Sequence, residues 1–148
     1  MRRTRRKGVA MVEFSLGAGL LFATFAGTFR YGYTLLQYNR LENAVVQGAR
    51  YASLIPYDSA TATPSAAFLA AVRNMTLYGS PTAGAHAAVP GLTPAQVILT
   101  VAFVHGVPST MTVSIQSFTV DSGFGSTALA GTPKAAFPYH GIWSPTGS

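Results

Sequence analysis

Cysteine is absent from the chain, which excludes disulfides and thiolate metal sites. Charge is scarce as well. Only 9% of residues are Asp, Glu, Lys or Arg, against a usual share of about 25%. A chain this poor in charge lies partly in lipid or packs against partners. There are four acidic residues in 148, and Asp58 and Asp121 are too isolated to form an acid–base pair. His86, His105 and His140 are scattered, with no metal-ligand spacing. The expectation is therefore no catalytic residue, no metal and no cofactor.

The charge that is present is unevenly placed. Arg2, Arg3, Arg5, Arg6 and Lys7 hold five of the ten basic positions. Beyond residue 8, Arg30, Arg40, Arg50, Arg73 and Lys134 nearly balance Glu13, Glu42, Asp58 and Asp121. The formal charge of +6 thus belongs to a short leader. A nucleic-acid arm is disfavoured, because the charge is so local and an apolar segment follows at once.

That segment, Val9 to Phe29, contains a single charge, Glu13. As a helix it would cover about 32 Å, enough for the hydrocarbon of a bilayer. Basic flanks stay in the cytoplasm, so the N-terminus is expected inside and the remainder outside. No proline interrupts Tyr31 to Ser53. Leu35, Leu41, Val45, Ala49 and Ala52 recur near helical spacing, with Gln37, Arg40, Asn43, Gln47 and Arg50 at polar positions. One long helix is expected from Val9 to about Leu54, stopped ahead of Pro56.

Thr63 followed by Pro64 predicts the start of a second helix. Phe68, Val72 and Met75 would share its buried face, and Gly79 would close it. Pro81 to Gly91 is a loop. Val97 to Val104 is a continuous apolar run, expected as a buried strand. Gly106 and Pro108 mark a turn. Met111, Val113 and Ile115 alternate with polar residues, as in a half-buried strand. The period slips near Ser117, which suggests a bulge. Asp121 to Thr132 is a loop, and Lys134 to Tyr139 is an edge strand, since Pro133 and Pro138 forbid a central one. Gly123 to Ala128 (GFGSTA) matches a dinucleotide-binding pattern, but such a site needs a helix and then a strand after it, and the short stretch beyond Ala128 is rich in Pro and Gly, so it too is a loop. Asn74-Met75-Thr76 matches a glycosylation sequon inside a predicted helix and is a chance match.

Three features coincide at the N-terminus: a basic leader ending in Gly8, an apolar helix directly after it, and Glu13 followed by Phe14. Glycine lets a protease approach the backbone. A carboxylate within a bilayer costs about 2.5–3.5 kcal/mol on insertion scales and persists when it has a partner. A cut after Gly8 would create one, an ammonium on Val9 with a typical pKa near 8. Glu13 of one chain would then pair with Val9 of another and set the stagger between them. Other readings stand beside this one. Glu13 near a helix start also suits the macrodipole. Thr24 and Ala26 would serve a secretory cut ahead of Gly27, and an uncleaved anchor is a third arrangement.

The run GVAMVEFSL, followed by LENAVVQGARYAS, resembles the TadE-like minor pilins, or pseudopilins, of tight-adherence (Flp-type) pili. The stalk motif is carried here by Asn43, Gly48, Ala49, Arg50 and Tyr51. AVRNMTLYG, LTPAQVILTV and FPYHG are similar to further segments of that family. The resemblance implies that a prepilin peptidase cuts between Gly8 and Val9. It also implies an inner-membrane subunit, with Glu13 and Phe14 in assembly, that works with other pilins and the assembly platform to start or tune a fibre. The fold expected is α+β and type IV pilin-like. It comprises a leader (1–8), a membrane span (9–29), a periplasmic stalk (30–54) and a small head (55–148) built from a short helix and a small antiparallel sheet. The competing functions are an exported or anchored binding module unrelated to pili, and an exported enzyme.

Overall fold

The computed structural model describes residues 3–129 and 133–145, with side chains from residue 8 onward. Helix α1 runs Arg3–Leu54 over 52 residues, roughly 78 Å at 1.5 Å per residue. It starts before the expected Val9. Nothing between Arg3 and Lys7 breaks a helix, and Gly8 weakens one by only about 1 kcal/mol. It ends where Pro56 demands. Across the apolar half the side chains are exposed, with Ala26 alone half-buried. From Gln37 onward one face sinks into the head: Leu41, Val45, Ala49 and Ala52 are almost fully buried. Burying a Leu or Val side chain contributes about 1.5–3 kcal/mol, so this stripe binds helix and head into one body. Two positions depart from the helical pattern. Leu35 is half exposed, whereas Gln37, expected at the surface, is buried.

Helix α2 spans Ala66–Tyr78. Its N-cap is Ser65 rather than Thr63. The Ser65 hydroxyl accepts the Phe68 N–H at 3.1 Å and donates to Asp58 Oδ2 at 2.6 Å, so Asp58 fixes the cap. Phe68 and Val72 are buried as expected, joined by Thr76 and Leu77, while Met75 is only half-buried. Gly79 closes the helix in the left-handed region, φ 67°, with its N–H on Met75 O.

Strands β1 (Val97–Val104), β2 (Val107–Ile115) and β5 (Lys134–Pro138) form an antiparallel sheet in the order β1-β2-β5. His105 and Gly106 make a two-residue turn, both with positive φ, the combination that a tight hairpin requires. Pro108 lies in the central strand. It is tolerated because the β1–β2 register shifts beside it, leaving Ser109 without a partner across the ladder, and β5 pairs only from Thr110 onward. β1 is not the fully buried strand expected. Val97 and Val101 are buried, but Thr100, Ala102 and Val104 face outward, because the helices cover one face of the sheet. The expected bulge at Ser117 is instead a break. Ser117 has φ 55°, the chain leaves the sheet, and β3 (Thr119–Asp121) pairs with β4 (Ser126–Ala128) in a separate hairpin. The second half of that hairpin was expected to be loop. The arrangement is α+β and pilin-like, with a long N-terminal helix, a short second helix and a small antiparallel sheet.

Candidate functional site at the N-terminal helix

Gly8, Val9, Glu13 and Phe14 all lie on the exposed first third of α1, with Phe14 78% exposed. No hydrogen bond or ion pair to Glu13 is found among the described residues. Around Gly8, Gly17, Gly19, Gly27 and Gly32 there is open space where a Cβ would stand. The surface is therefore apolar, notched by small residues and carries one carboxylate. Among the described residues, Phe124 is the ring from outside the helix that packs on it, at Phe22 and Phe29. Arg3, Arg5, Arg6 and Lys7 continue the helix backbone, while Arg2 lies outside the described residues.

The stalk motif divides by role. Gly48 is the contact point of the two helices, because a Cβ there would fall on the Thr76 side chain. Thr76 is buried and turns its hydroxyl back to Val72 O at 2.9 Å. Ala49 is buried and Tyr51 packs against the core, while Arg50 and Asn43 are exposed. Asn43 helps line an open pocket of about 460 Å³ with Arg40, Gln47 and Gly79. A second hollow of about 260 Å³ lies beside Tyr33, Gln37, Phe118 and Asp121. The Gln37 amide oxygen, buried at its edge, accepts no hydrogen bond among the described residues.

The C-terminal segment clamps the top of the stalk. Tyr139 Oη accepts the Tyr57 N–H at 2.8 Å and stands 3.1 and 2.8 Å from the carbonyls of Ile55 and Ile142. His140 N–H reaches Ser53 O, and Trp143 Nε1 donates to Ser59 O at 3.0 Å. The FPYHG segment thus has a structural task. Burial pushes the phenols of Tyr57 and Tyr139 above their ordinary pKa. On the stalk, the hydrogen bond to Glu42, reinforced by its charge, raises that of Tyr38.

Among the described residues no cluster of three or more His, Asp or Glu is placed to hold a metal ion. Among the described residues one helix is long and apolar enough to cross a membrane, Gly8–Leu54. Residues 8–50 match the family model described as TadE-like protein. Over this stretch the chain is similar to the TadE-like family. The match covers the apolar run with Glu13 and the helix through Arg50 and agrees there with the resemblance drawn from the residues; Tyr51 and the segments AVRNMTLYG, LTPAQVILTV and FPYHG lie beyond it. No curated protein and no solved structure matches the chain.

Residues that sequence reasoning passed over also touch this helix. Arg30 donates to Thr127 Oγ1 and Ser126 O, and Phe124 packs on Phe22 and Phe29. A lone phenylalanine between two glycines was the available signal.

Proposed function

We propose that the chain is a minor pilin, or pseudopilin, of a tight-adherence pilus, with a structural rather than enzymatic task. The observation that carries this reading is the TadE-like match over residues 8–50 on a helix whose apolar half is exposed apart from the contact with Phe124 and holds one acid, Glu13. In this reading the basic leader stays in the cytoplasm, α1 crosses the inner membrane, and the head stands outside. A prepilin peptidase removes residues 1–8. Because Gly8 lies within a continuous helix, that cut needs local unwinding, which glycine favours. The new ammonium of Val9 on one chain meets Glu13 of another. Gly17 and Gly19 admit close helix approach. Other pilins and the assembly platform are the partners.

The test is the N-terminal residue of the mature, membrane-bound protein, read by mass spectrometry. Val9 is the expected result. A start at Gly27 would discard Glu13 with the leader and overturn the reading. An intact Met1 would leave a plain anchor and overturn it as well.

A further inference from the structure

The β3–β4 hairpin returns to α1 below the end of the apolar run. Phe124, at its tip, lies edge-on to Phe22 at 6.1 Å and to Phe29 at 5.6 Å between ring centroids. Those two residues are separated by about 10 Å along the helix axis. The ring therefore stands about 5 Å below Phe29, at the level of half-buried Ala26, where α1 carries no charge and its threonines, Thr24 and Thr28, turn their hydroxyls back to the helix's own carbonyls. Phe124 keeps 44% of its surface exposed.

The rest of the hairpin suits an apolar surrounding. Its tip, Gly-Phe-Gly, has no charge. Ser122 N–H and Oγ both bond Gly125 O, and Gly123 N–H bonds Asp121 Oδ1 at 2.9 Å. Three backbone groups that would be costly to bury unpaired are thus satisfied within the loop. Two charged groups flank the tip, the Asp121 carboxylate on the Gly123 N–H and the Arg30 guanidinium beside Gly125. Asp121 borders the hollow beside Tyr33 and Gln37, and Arg30 is the first cation after the apolar run. Its guanidinium grips the far strand of the hairpin at 2.9–3.1 Å, the place where arginine at a lipid boundary is expected.

We propose that the β3–β4 hairpin is a second membrane contact, its Phe124 tip seated among the phospholipid chains of the outer leaflet beside the exit of α1. This rests on Val9–Phe29 being the membrane span. A depth of about 5 Å is that of an interfacial anchor. Such a contact holds the head at one height and one rotation about the helix, and it must be released before the helix can leave the bilayer.

The absence of cysteine allows single-cysteine labelling of the full chain. Nitroxide would be attached to Phe124→Cys, Phe14→Cys and Ala62→Cys, the last an exposed position in the head, in vesicles of phosphatidylethanolamine and phosphatidylglycerol. Collision with oxygen, enriched in lipid, is compared with collision with an aqueous nickel chelate. The Phe124 label is expected to group with Phe14, its oxygen-to-nickel ratio several-fold above that of Ala62. Grouping with Ala62 overturns the proposal. Low collision with both reagents, which marks cover by protein such as a second copy, overturns it too. If Phe14 itself reports water, the span falls and the hairpin anchor with it, so the two failures are distinguishable. A Phe124→Trp, Trp143→Phe chain checks the result with an aromatic ring retained. Quenching by brominated acyl chains is expected, and its absence overturns the proposal.

Discussion

The hydroxyl of Tyr139 accepts the amide hydrogen of Tyr57 at 2.8 Å, joining residues far apart in sequence at the point where α1 ends. The same hydroxyl serves the carbonyls of Ile55 and Ile142, so one oxygen ties the helix terminus to the last described segment. Tyr139→Phe keeps the ring and removes the tie. An abandoned buried polar group costs about 1–3 kcal/mol. The Tyr57 N–H retains Ile142 O as a second acceptor at 2.9 Å, so a loss of about 1–2 kcal/mol is expected. Thermal unfolding of the detergent-solubilised chain measures it, and an unchanged midpoint would remove the clamp from the account.

The same pair predicts an alkaline limit. Burial raises both phenols in the folded state, relative to about 10 when unfolded. The unfolded chain therefore loses these protons first as pH rises. The stabilisation is complete below about pH 10 and is lost as pH passes through the raised folded values. Unfolding midpoints should be flat with respect to these groups below that point and fall above it. The fall should be shallower in Tyr139→Phe, which titrates one phenol fewer.

Apolar period and punctuation made the skeleton legible. Leu41, Val45, Ala49 and Ala52 lie where their spacing put them, and Pro56, Gly79 and the Met111–Ile115 alternation marked real boundaries and faces. Tertiary contact decided what was missed. Gln37 is buried because the head folds down over that turn of α1, which local polarity does not register. Ser65 displaced Thr63 as the cap because Asp58, seven residues earlier, holds its hydroxyl. The three-residue strands β3 and β4 are too short to show alternation. Glu13 was conspicuous as a lone acid, but this chain offers it no partner among the described residues, so its task is intermolecular in the proposed reading.

Gly48 predicts a sharp contrast among the glycines of α1. A methyl group at Gly48 would strike Thr76 Oγ1, whereas at Gly32 it would meet nothing. Gly48→Ala is expected to cost about 1–3 kcal/mol through overpacking. Gly32→Ala should gain about 0.5–1 kcal/mol from helix propensity. Adding Thr76→Ala should restore part of the Gly48→Ala loss, since it removes the struck hydroxyl. Additive rather than compensating losses in the double variant would show that the two residues do not share this contact.

Gln37 predicts stabilisation. Its amide oxygen is buried with no hydrogen-bond donor among the described residues, and a buried unsatisfied polar atom costs about 1–3 kcal/mol. Gln37→Leu removes that atom and adds apolar cover beside Tyr33 and Phe118. Stability should rise by about 1 kcal/mol or more, read as a higher unfolding midpoint. A lower midpoint would mean that solvent in the adjoining hollow supplies the missing donor.

Glu13 tests assembly apart from insertion. Replacing it with leucine makes the helix more apolar, so membrane insertion should be preserved or improved. The arrangement proposed between Glu13 and the Val9 ammonium of a neighbour is a charge-assisted hydrogen bond, worth about 1.5–3 kcal/mol. Losing it should lower incorporation roughly tenfold or more. Glu13→Leu should therefore leave the amount of processed, membrane-bound chain unchanged while surface pili become scarce. Glu13→Asp keeps the charge on a shorter arm and should fall between the two. Normal piliation with Glu13→Leu would remove Glu13 from assembly. A chain missing from the membrane would show that the carboxylate acts earlier, in insertion or processing.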